Sequence, residues 1–289
     1  MKGVDIIPVI GLVLNTKKEE AFIVGERLIQ LFKMKDISYL LEKKASDIMG
    51  RDEGVDYQSL KKNADFIIII GGDGTFLHTA HYFFDTQIPL LGINIGRLGF
   101  LTEIETNEIE VAIDHLLNGN YTVEKRMILE SNIIRNGKKT YSNYALNDFV
   151  INRGARSRLV GIDLYINDEI VNSYRADGII ISTPTGSTAY SLSAGGPIIN
   201  PSIRAIIITP ICPHSLFITP MVISDRESLK IVVHSEHSMS FTADGSYDYL
   251  IKDNDKINIK ASKQELYFVK LPNRTFYSIL HKKMKAGLV

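Results

Sequence analysis

A glycine-rich turn with a single carboxylate is the first feature of this chain that could do chemistry. Four isoleucines at 67–70 run directly into Gly71, Gly72, Asp73, Gly74 and Thr75. Glycine can adopt positive φ and expose consecutive N–H groups, which suits phosphate, and Asp73 would stand where a ligand hydroxyl could reach it. The alternative is a tight strand-to-helix turn whose Asp73 meets only water.

A second glycine-containing segment is Asn94–Leu101, which reads Asn-Ile-Gly-Arg-Leu-Gly-Phe-Leu. Its glycines would bring the backbone close to a nucleotide beside the Asn94 amide, and the Phe100 ring would cover a base. The alternative is a structural loop whose Phe100 enters the core.

Further polar residues stand at Asn147-Asp148 and after Arg175. An amide and a carboxylate at the end of an apolar strand can fix ribose hydroxyls or an adenine edge, although such a pair alone more often forms a turn. Arg175 and Asp177 lead through an apolar run into residues 183–190, which read Thr-Pro-Thr-Gly-Ser-Thr-Ala-Tyr.

This last segment has more hydroxyls than one turn needs, at Thr183, Thr185, Ser187 and Thr188. One of them can cap a helix predicted to begin near Thr188. We expect the others to bind a polar ligand such as nicotinamide or pyrophosphate, with Tyr190 as a flat neighbour. Ser193 would continue the helix, and 194–197 would end it.

Other reactive residue types give weaker signals. Asp244 is another candidate carboxylate, although Asp-Gly most often forms a hairpin turn. His214 is interpreted as structural, because no His or Cys spacing supports metal coordination. Cys212 is the only cysteine, which excludes an intrachain disulfide, and we expect its thiol to be buried and structural.

Two common nucleotide motifs are absent from the chain. There is no Gly-x-x-x-x-Gly-Lys-Ser/Thr loop, and no Gly-x-Gly-x-x-Gly follows the first predicted strand. A P-loop nucleotidase and a standard Rossmann dehydrogenase are therefore disfavoured.

Alternating strands and helices are predicted to position the first two segments. The predicted strands are Ile6–Leu14, Phe66–Ile70 and Ile88–Ile93, and the helices are Glu19–Lys33, one carrying Phe76, Leu77, Ala80, Phe83 and Phe84, and Ile109–Leu117. This order predicts a Rossmann-like, doubly wound α/β domain over 1–122. Ligands of such sheets bind beyond the carboxyl ends of strands, where Gly71–Thr75 would lie.

From about Tyr121 the pattern changes to strands separated by turns. Segments Val123–Ile134 and Lys139–Ile151 flank Asn136-Gly137, and Leu159–Ile166 and Ile170–Tyr174 flank Asn167-Asp168; further strands are predicted at Ile179–Ser182, Ile206–Ile208, Leu229–Val233, Met239–Ala243 and Ile257–Lys260. These signals predict a β-rich domain of antiparallel sheets over 123–270. A helix at Phe276–Lys285, within 271–289, is expected to return to the first domain.

Composition limits the class of protein. The chain has 289 residues, 45% of them hydrophobic, with 33 basic and 33 acidic side chains. This balance argues against a broad nucleic-acid or anionic-membrane surface, and the first apolar run ends at Asn15, too early for a membrane span or typical signal peptide. We expect a cytoplasmic protein with no nucleic-acid or membrane partner.

Together, Gly71–Thr75, Asn94–Leu101, Asn147-Asp148 and residues 175–197 closely resemble the NAD kinase family, in order through almost the whole chain. The Gly-Gly-Asp-Gly turn alone is weak evidence for this family, because lipid kinases and 6-phosphofructokinases carry similar turns. The run from Asp177 to Tyr190, Asp-Gly-x-x-x-Ser-Thr-Pro-Thr-Gly-Ser-Thr-Ala-Tyr, is specific. The lipid-kinase continuation Asn-Glu-Val is missing after the turn.

The resemblance implies phosphoryl transfer to the 2′-hydroxyl of the adenosine ribose of NAD, giving NADP, at a site between an α/β and a β-rich domain. It implies that Asp73 faces this hydroxyl. The predicted substrate-binding residues are Gly71, Gly72, Gly74, Thr75, Asn94, Phe100, Asn147, Asp148, Arg175, Asp177, Thr185, Thr188, Ala189, Tyr190 and Ser193. A divalent cation such as Mg²⁺ would accompany the donor without direct protein ligands, and a homodimer or homotetramer is implied.

The expected chemistry is mostly positioning. A ribose hydroxyl is too weak an acid for a carboxylate to deprotonate fully, so Asp73 would orient it and accept its proton as the new bond forms. Donor phosphates would lie against the glycine N–H groups. The resemblance admits ATP or polyphosphate as donor and NAD or NADH as acceptor.

One segment departs from the family pattern, and two other functions compete. After residues 213–216 the chain reads Phe217-Ile218-Thr219-Pro220, where many relatives have a small residue and Arg before Pro. Any anion contact assigned to that Arg is in doubt. The competing functions are a non-catalytic NAD(H)-binding sensor, which needs no phosphate-donor turn, and a lipid or sugar kinase, which the hydroxyl cluster disfavours.

Overall fold

The computed structural model describes residues 8–153, 159–214 and 218–287. Residues 6 and 7 of the first predicted strand, and Phe217 in the departing segment, lie outside these ranges. The contacts divide into two compact units: unit 1 comprises the described residues of Met1–Lys125 and Leu266–Val289, and unit 2 those of Arg126–Glu265.

Helices and strands alternate early in the chain, and strands dominate later. The strands are β1 Ile10–Leu14, β2 Tyr39–Leu41, β3 Phe66–Gly71, β4 Leu90–Asn94, β5 Ile104–Glu105, β6 Thr122–Arg135, β7 Lys138–Ala145, β8 Asp148–Asn152, β9 Val160–Ile166, β10 Glu169–Ala176, β11 Gly178–Ser182, β12 Ala205–Ile211, β13 Met221–Ser224, β14 Ser228–His234, β15 Met239–Ala243, β16 Ser246–Ile251 and β17 Lys256–Lys270. The α-helices are α1 Glu19–Met34, α2 Lys43–Ile48, α3 Tyr57–Asn63, α4 Asp73–Ala80, α5 Ile109–Leu117, α6 Tyr190–Ser193 and α7 Phe276–Lys285.

Unit 1 contains a parallel sheet in the order β4-β3-β1-β2, and the end of β17 joins β4 in parallel where Phe268 pairs with Leu90. The four isoleucines of β3, at 67–70, have no exposed surface, as expected for a strand covered on both faces. Because β1, β3 and β4 are parallel, their carboxyl ends lie at one edge of the sheet. Asn15, the glycine turn and Asn94 therefore meet at that edge.

Helix α1 shows how periodicity specifies an element of unit 1. Its buried residues are Ala21, Val24, Gly25, Leu28, Ile29 and Phe32, which recur at helical spacing and form one apolar stripe. The same pattern gave the helices at Glu19–Lys33 and Ile109–Leu117 from the sequence, and both are confirmed, the first with one further residue. The predicted doubly wound α/β architecture is confirmed.

Unit 2 consists of antiparallel sheets, as predicted. One has the order β13-β12-β11-β8-β15-β16, and a second contains β10-β9-β14-β17. Inward side chains of both, such as Ile179 of the first and Ile231 of the second, have no exposed surface and belong to one core cluster. The predicted hairpin turns at Asn136-Gly137 and Asn167-Asp168 have positive φ at both residues, which is the geometry that two-residue hairpins favour.

The structure corrects two expectations and adds elements that the sequence did not predict. Lys139–Ile151 is not one strand, because β7 ends at Ala145 and β8 begins at Asp148. The helix expected near Thr188 is a 3-10 turn at Gly186–Thr188 followed by the single turn of α6, and no side chain caps it. Elements β2, α2, α3, β5, β13 and β16 were not predicted.

None of the helices in the described ranges is long and apolar enough to cross a membrane.

Candidate functional site

The glycine turn is shaped by close packing and not by left-handed backbone. None of Gly71, Gly72 and Gly74 has positive φ, so that expectation is wrong. A Cβ on Gly71 would lie 2.5 Å from Cβ and Oγ1 of Thr75, so only glycine lets β3 meet helix α4 this closely. A Cβ on Gly72 or Gly74 would meet nothing within 4 Å, which leaves open space beside the first turn of α4. Helix N-termini favour anions, so a phosphate is suited to this space.

Four donors from one loop fix the carboxylate of Asp73. Oδ1 accepts hydrogen bonds from the N–H groups of Leu101 and Thr102 and from the Thr102 hydroxyl, each at 3.0 Å. Oδ2 accepts one from the Phe100 N–H at 2.7 Å. A carboxylate has about two lone pairs on each oxygen. Oδ1 is therefore saturated, and Oδ2 keeps room for one more donor such as a substrate hydroxyl.

Gly99 is a glycine because of Asp73. A Cβ at this position would lie 1.8 Å from Asp73 Oδ1 and 2.6 Å from Thr102 Oγ1, distances that no side chain tolerates. The second glycine of the Asn94–Leu101 segment thus brings backbone close to the catalytic candidate. We had expected that close approach to serve a nucleotide.

Two asparagines at the carboxyl edge of the unit 1 sheet hold the surrounding turns. Asn15 donates its side-chain amide to Thr75 Oγ1 at 2.8 Å, and its own N–H binds the Ile70 carbonyl at 2.8 Å. Asn94 is buried, and its side chain exchanges two hydrogen bonds with the Gly96 backbone, at 3.0 and 3.2 Å. Asn94 therefore shapes the loop that carries the donors to Asp73.

The Phe100 ring is half-buried and packs within unit 1. Its centroid lies 6.1 Å from that of Phe276 at the start of α7, and the Lys283 ammonium lies 4.6 Å above it. Phe100 is thus held by the C-terminal helix, while its N–H binds Asp73. Its predicted contact with a nucleotide base stays a prediction.

In unit 2, Asp244 organises the segment around Asn147. The Asp244 carboxylate accepts hydrogen bonds from the N–H groups of Leu146, Asn147 and Asp148, at 2.9, 2.7 and 3.1 Å. These bonds satisfy the backbone where the chain leaves β7 and enters β8. Asp244 also begins the hairpin turn between β15 and β16 with φ of 53°. The interpretation of Asp244 as a turn residue is confirmed, whereas a contact of its carboxylate with a ligand stays a prediction.

Asp148 is a buried carboxyl group with unusual chemistry. Only 4% of the residue is exposed, and burial, with the nearby charge of Asp244 as a smaller cause, raises the pKa of Asp148 to about 7. Groups with strongly raised pKa values are frequent at functional sites. Asn147, by contrast, is half-exposed and available to a ligand.

Protein atoms already bind most of the hydroxyl cluster, which corrects the expectation that a ligand is needed. Thr183 and Ser187 have no exposed surface. The Thr183 hydroxyl donates to the Leu146 carbonyl and accepts from the Gly186 N–H. Ser187 donates to the Pro184 carbonyl at 2.6 Å and accepts from the Ile199 N–H at 3.0 Å. These hydrogen bonds hold residues 183–187 in place beside Leu146 and Ile199.

The other predicted residues of this segment differ in accessibility. Thr185 is buried and accepts a hydrogen bond from Arg126 at 3.3 Å. Thr188 and Ala189 are half-buried, whereas Tyr190 is 42% exposed and Ser193 is exposed. The accessible predicted residues of the motif are therefore Thr188, Ala189, Tyr190 and Ser193, whereas Ser191 between them is buried.

Arg175 and Asp177 lie on either side of residue 176 and have different surroundings. Asp177 is half-buried and forms an ion pair with Arg153, whose Nε lies 2.6 Å from its carboxylate. Arg175 is exposed, and its carbonyl accepts from the His214 N–H at 2.8 Å. The Arg175 side chain is thus open to an anion, and Asp177 is already oriented by a cation.

The part of the chain that the structure describes contains no preformed metal site. Across 8–153, 159–214 and 218–287, no three His, Cys, Asp or Glu side chains come together in a geometry that could hold a metal. Asp73, the carboxylate nearest the phosphate turn, already accepts four hydrogen bonds.

Cys212 was expected to be buried, which is wrong: it is exposed, because it leaves the end of β12 in a turn with φ of 45°.

The sequence did not reveal several residues that hold the site. Asn15 could have been found, because it follows β1 at the ligand-binding edge of a parallel sheet. Thr102 and Lys283 act only through contacts with distant parts of the chain, and no local pattern marks them.

Comparisons with known proteins show which family this chain resembles. Models of the ATP-NAD kinase N-terminal domain and C-terminal domain match residues 10–121 and 146–271. NAD kinase of Thermoanaerobacter pseudethanolicus is 40% identical over 286 residues, which cover 98% of this chain and 99% of the relative. NAD kinase of Heliobacterium modesticaldum is 36% identical over 282 residues, covering 97% of this chain and 100% of the relative.

Two solved structures share the fold at 24% identity. Yeast NADH kinase complexed with NADH aligns with a TM-score of 0.89 over 96% of this chain and 88% of its own. An NAD kinase from Archaeoglobus fulgidus in complex with ATP aligns with a TM-score of 0.77 over 96% of this chain and 99% of its own. Because both family models match and the relatives are similar over their full lengths, the chain belongs to the ATP-NAD kinase family.

Proposed function

We propose that this protein is an NAD kinase that transfers the γ-phosphoryl group of ATP to the 2′-hydroxyl of the adenosine ribose of NAD, forming NADP and ADP. The observation that carries the proposal is the carboxylate of Asp73. It stands at the start of α4, beside open space suited to phosphate, and one of its oxygens keeps room for a hydroxyl donor. From family membership we infer that this hydroxyl is the ribose 2′-hydroxyl of NAD.

In the proposed reaction, the ribose hydroxyl donates its hydrogen bond to Oδ2 of Asp73. The hydroxyl oxygen forms a bond to the γ-phosphorus while the bond from that phosphorus to the bridging oxygen of ADP breaks. The hydroxyl proton passes to Asp73 and then to water. Since Oδ1 is held by three donors, the carboxylate cannot rotate away, and the reaction needs little reorganisation.

Unit 1 is proposed to bind the phosphate donor and unit 2 the dinucleotide. The first turn of α4, with Gly72 and Gly74, would receive phosphate oxygens on its N–H groups. In unit 2 the accessible candidates are Asn147, Arg175, Thr188, Ala189, Tyr190 and Ser193. Thr185 and Asp148 are buried, so we propose that they support these contacts from beneath.

A divalent cation such as Mg²⁺ is proposed to enter with the donor. The described residues do not fit a protein-held magnesium site, since Asp73 is occupied by hydrogen-bond donors and no carboxylate cluster exists in those ranges. Magnesium is often held by phosphate oxygens and water with few protein ligands. No step is therefore assigned to it.

We also propose a cytoplasmic homodimer or homotetramer, and light scattering on the purified protein would test the oligomeric state.

The test is a phosphorylation assay on the purified protein with Mg²⁺, in which ATP and polyphosphate are each crossed with NAD and NADH. We expect NADP or NADPH, with the new phosphate located on the adenosine ribose by ³¹P NMR. Diacylglycerol and fructose 6-phosphate are added as competing acceptors. Binding of NAD without any product would support a sensor, and a phosphorylated lipid or sugar would support another kinase; either result contradicts the proposal.

A further inference from the structure

The loop that fixes Asp73 has no regular secondary structure of its own. Residues 95–103 form neither helix nor strand, so their shape depends on individual contacts. Near its start, the Asn94 side chain binds the Gly96 backbone. At its end, Arg274 Nη1 donates to the Glu103 carbonyl at 2.8 Å, and Lys270 pairs with the Glu103 carboxylate. These contacts hold the two ends of the loop and not its middle, which carries the donors to Asp73.

Lys283 holds the middle of the loop. Its ammonium donates a hydrogen bond to the Leu98 carbonyl at 2.8 Å and lies 4.6 Å above the centroid of the Phe100 ring. These two contacts lie on either side of Gly99, the residue that packs against Asp73 Oδ1. One side chain thus holds both flanks of the point where the loop meets the carboxylate.

The geometry of α7 makes Lys283 suited to this task. Phe276 and Lys283 are about two helical turns apart and so lie on one face of the helix. Both contact Phe100, Phe276 through its ring at 6.1 Å. Lys283 is half-buried, whereas Lys282 and Lys285 in the same turn are exposed. Lys283 therefore differs from Lys282 and Lys285 in its surroundings, although all three side chains carry the same charge.

We propose that Lys283 is a positioning residue for phosphoryl transfer. It holds Leu98 and Phe100 so that the N–H groups of Phe100 and Leu101 keep the Asp73 carboxylate in one orientation, and it contacts no substrate. The kinetic part of this proposal rests on the proposed function. The part that concerns the loop does not, because it can be measured without any reaction.

The loop is tested first, by amide hydrogen exchange of peptides that cover residues 97–102. Lys283→Met keeps an apolar stem but removes the ammonium, and Lys285→Met removes the same charge from the exposed side of the same turn. We expect exchange in this segment to accelerate about tenfold in K283M and to stay within about twofold in K285M. Equal protection in both variants would overturn the proposal even if the protein had no kinase activity.

Kinetics then test whether the loop acts through Asp73. We expect K283M to lower kcat for NAD phosphorylation by roughly 10- to 100-fold with the KM for NAD changed by less than about threefold. Lys283→Arg can still donate to Leu98 and stack on Phe100, so it should recover most of the rate. In an Asp73→Asn background, K283M should have almost no further effect, because the group being positioned is gone.

Each other outcome contradicts the proposal. An unchanged kcat in K283M, an equal loss in K285M, or the same fold-loss in the presence and absence of Asp73 would show that Lys283 does not act through this carboxylate. If K283M lowers the melting temperature by more than about 5 °C, Lys283→Leu, which also removes the donor and keeps an apolar side chain, replaces it in the same comparisons. A wild-type protein that makes no NADP would refute the proposed function and leave the exchange result decisive for the loop.

Discussion

Replacing Asp148 with asparagine should stabilise the protein, and the gain should grow as the pH rises. Burial raises the pKa of Asp148 from 3.8 to about 7, so the folded protein holds a proton that the unfolded chain releases. Between pH 3.8 and about pH 7, folding must take up that proton from solution, and this uptake becomes less favourable as the pH rises. The resulting loss in the free energy of unfolding begins near pH 4, increases up to about pH 7 and is then constant.

The magnitude follows from the difference between the two pKa values. At about 1.4 kcal/mol for each pH unit between 3.8 and 7, the full cost above pH 7 is about 4 kcal/mol. At pH 5 only about 2 kcal/mol of it is present. The asparagine of the variant would carry neither the charge nor the proton equilibrium, so its advantage should increase by about 2–3 kcal/mol between pH 5 and pH 8.

The assay is thermal unfolding of wild type and Asp148→Asn by circular dichroism, at four pH values from 5 to 8. The difference in melting temperature between the two proteins should rise by roughly 5 °C or more over this range. Asp248→Asn, which changes an exposed carboxylate on β16, is the control and should show little pH-dependent difference. A difference for Asp148→Asn that stays constant or shrinks with rising pH would refute the reasoning about its burial.

Two further predictions follow from the packing around charged groups. Gly99→Ala should lower kcat by about 100-fold or more, because its Cβ would displace the Asp73 carboxylate from 1.8 Å away, whereas Gly96→Ala, in an exposed part of the same loop, should keep at least half the rate. Equal rates for the two variants would contradict the packing argument. Arg135→Met should cost about 3–5 kcal/mol of unfolding free energy, since it removes the counter-charge of the Asp255 carboxylate, which is 1% exposed and bound by Arg135 Nη2 at 2.7 Å. Urea unfolding measures this loss, and a cost below about 1 kcal/mol would show that the ion pair contributes little.

The sequence predicted the elements whose local pattern and tertiary role agree. Helices α1, α5 and α7 have clear apolar periodicity, and the hairpins have Asn-Gly, Asn-Asp or Asp-Gly at the positions that need positive φ. Helices α2 and α3 are too short to show a period and begin at side-chain caps, Glu42 and Asp56, that are also common in turns. Strand β2 has only three residues, so its pairing with β1 is decided by tertiary contacts.

For the candidate site, the sequence identified groups but not their partners. The carboxylate of Asp73 was evident from the turn, whereas its donors at Phe100–Thr102 come from a loop beyond the next strand. The hydroxyls of Thr183 and Ser187 looked available because residue type does not reveal burial. Asp244 was ambiguous because one residue both turns a hairpin and binds three N–H groups. In each case the missing information was a contact between distant segments.

The central claim is that the fixed carboxylate of Asp73 orients the 2′-hydroxyl and accepts its proton. The most direct measurement compares Asp73→Asn with wild type in kcat for NAD phosphorylation and in the dissociation constant for NAD. The substitution keeps the size of the side chain but removes its ability to accept the proton. We predict a loss in kcat of about 10²- to 10⁴-fold, equivalent to about 3–5 kcal/mol in the barrier, with NAD binding changed by less than about threefold. Near-normal turnover by the folded variant would contradict the claim.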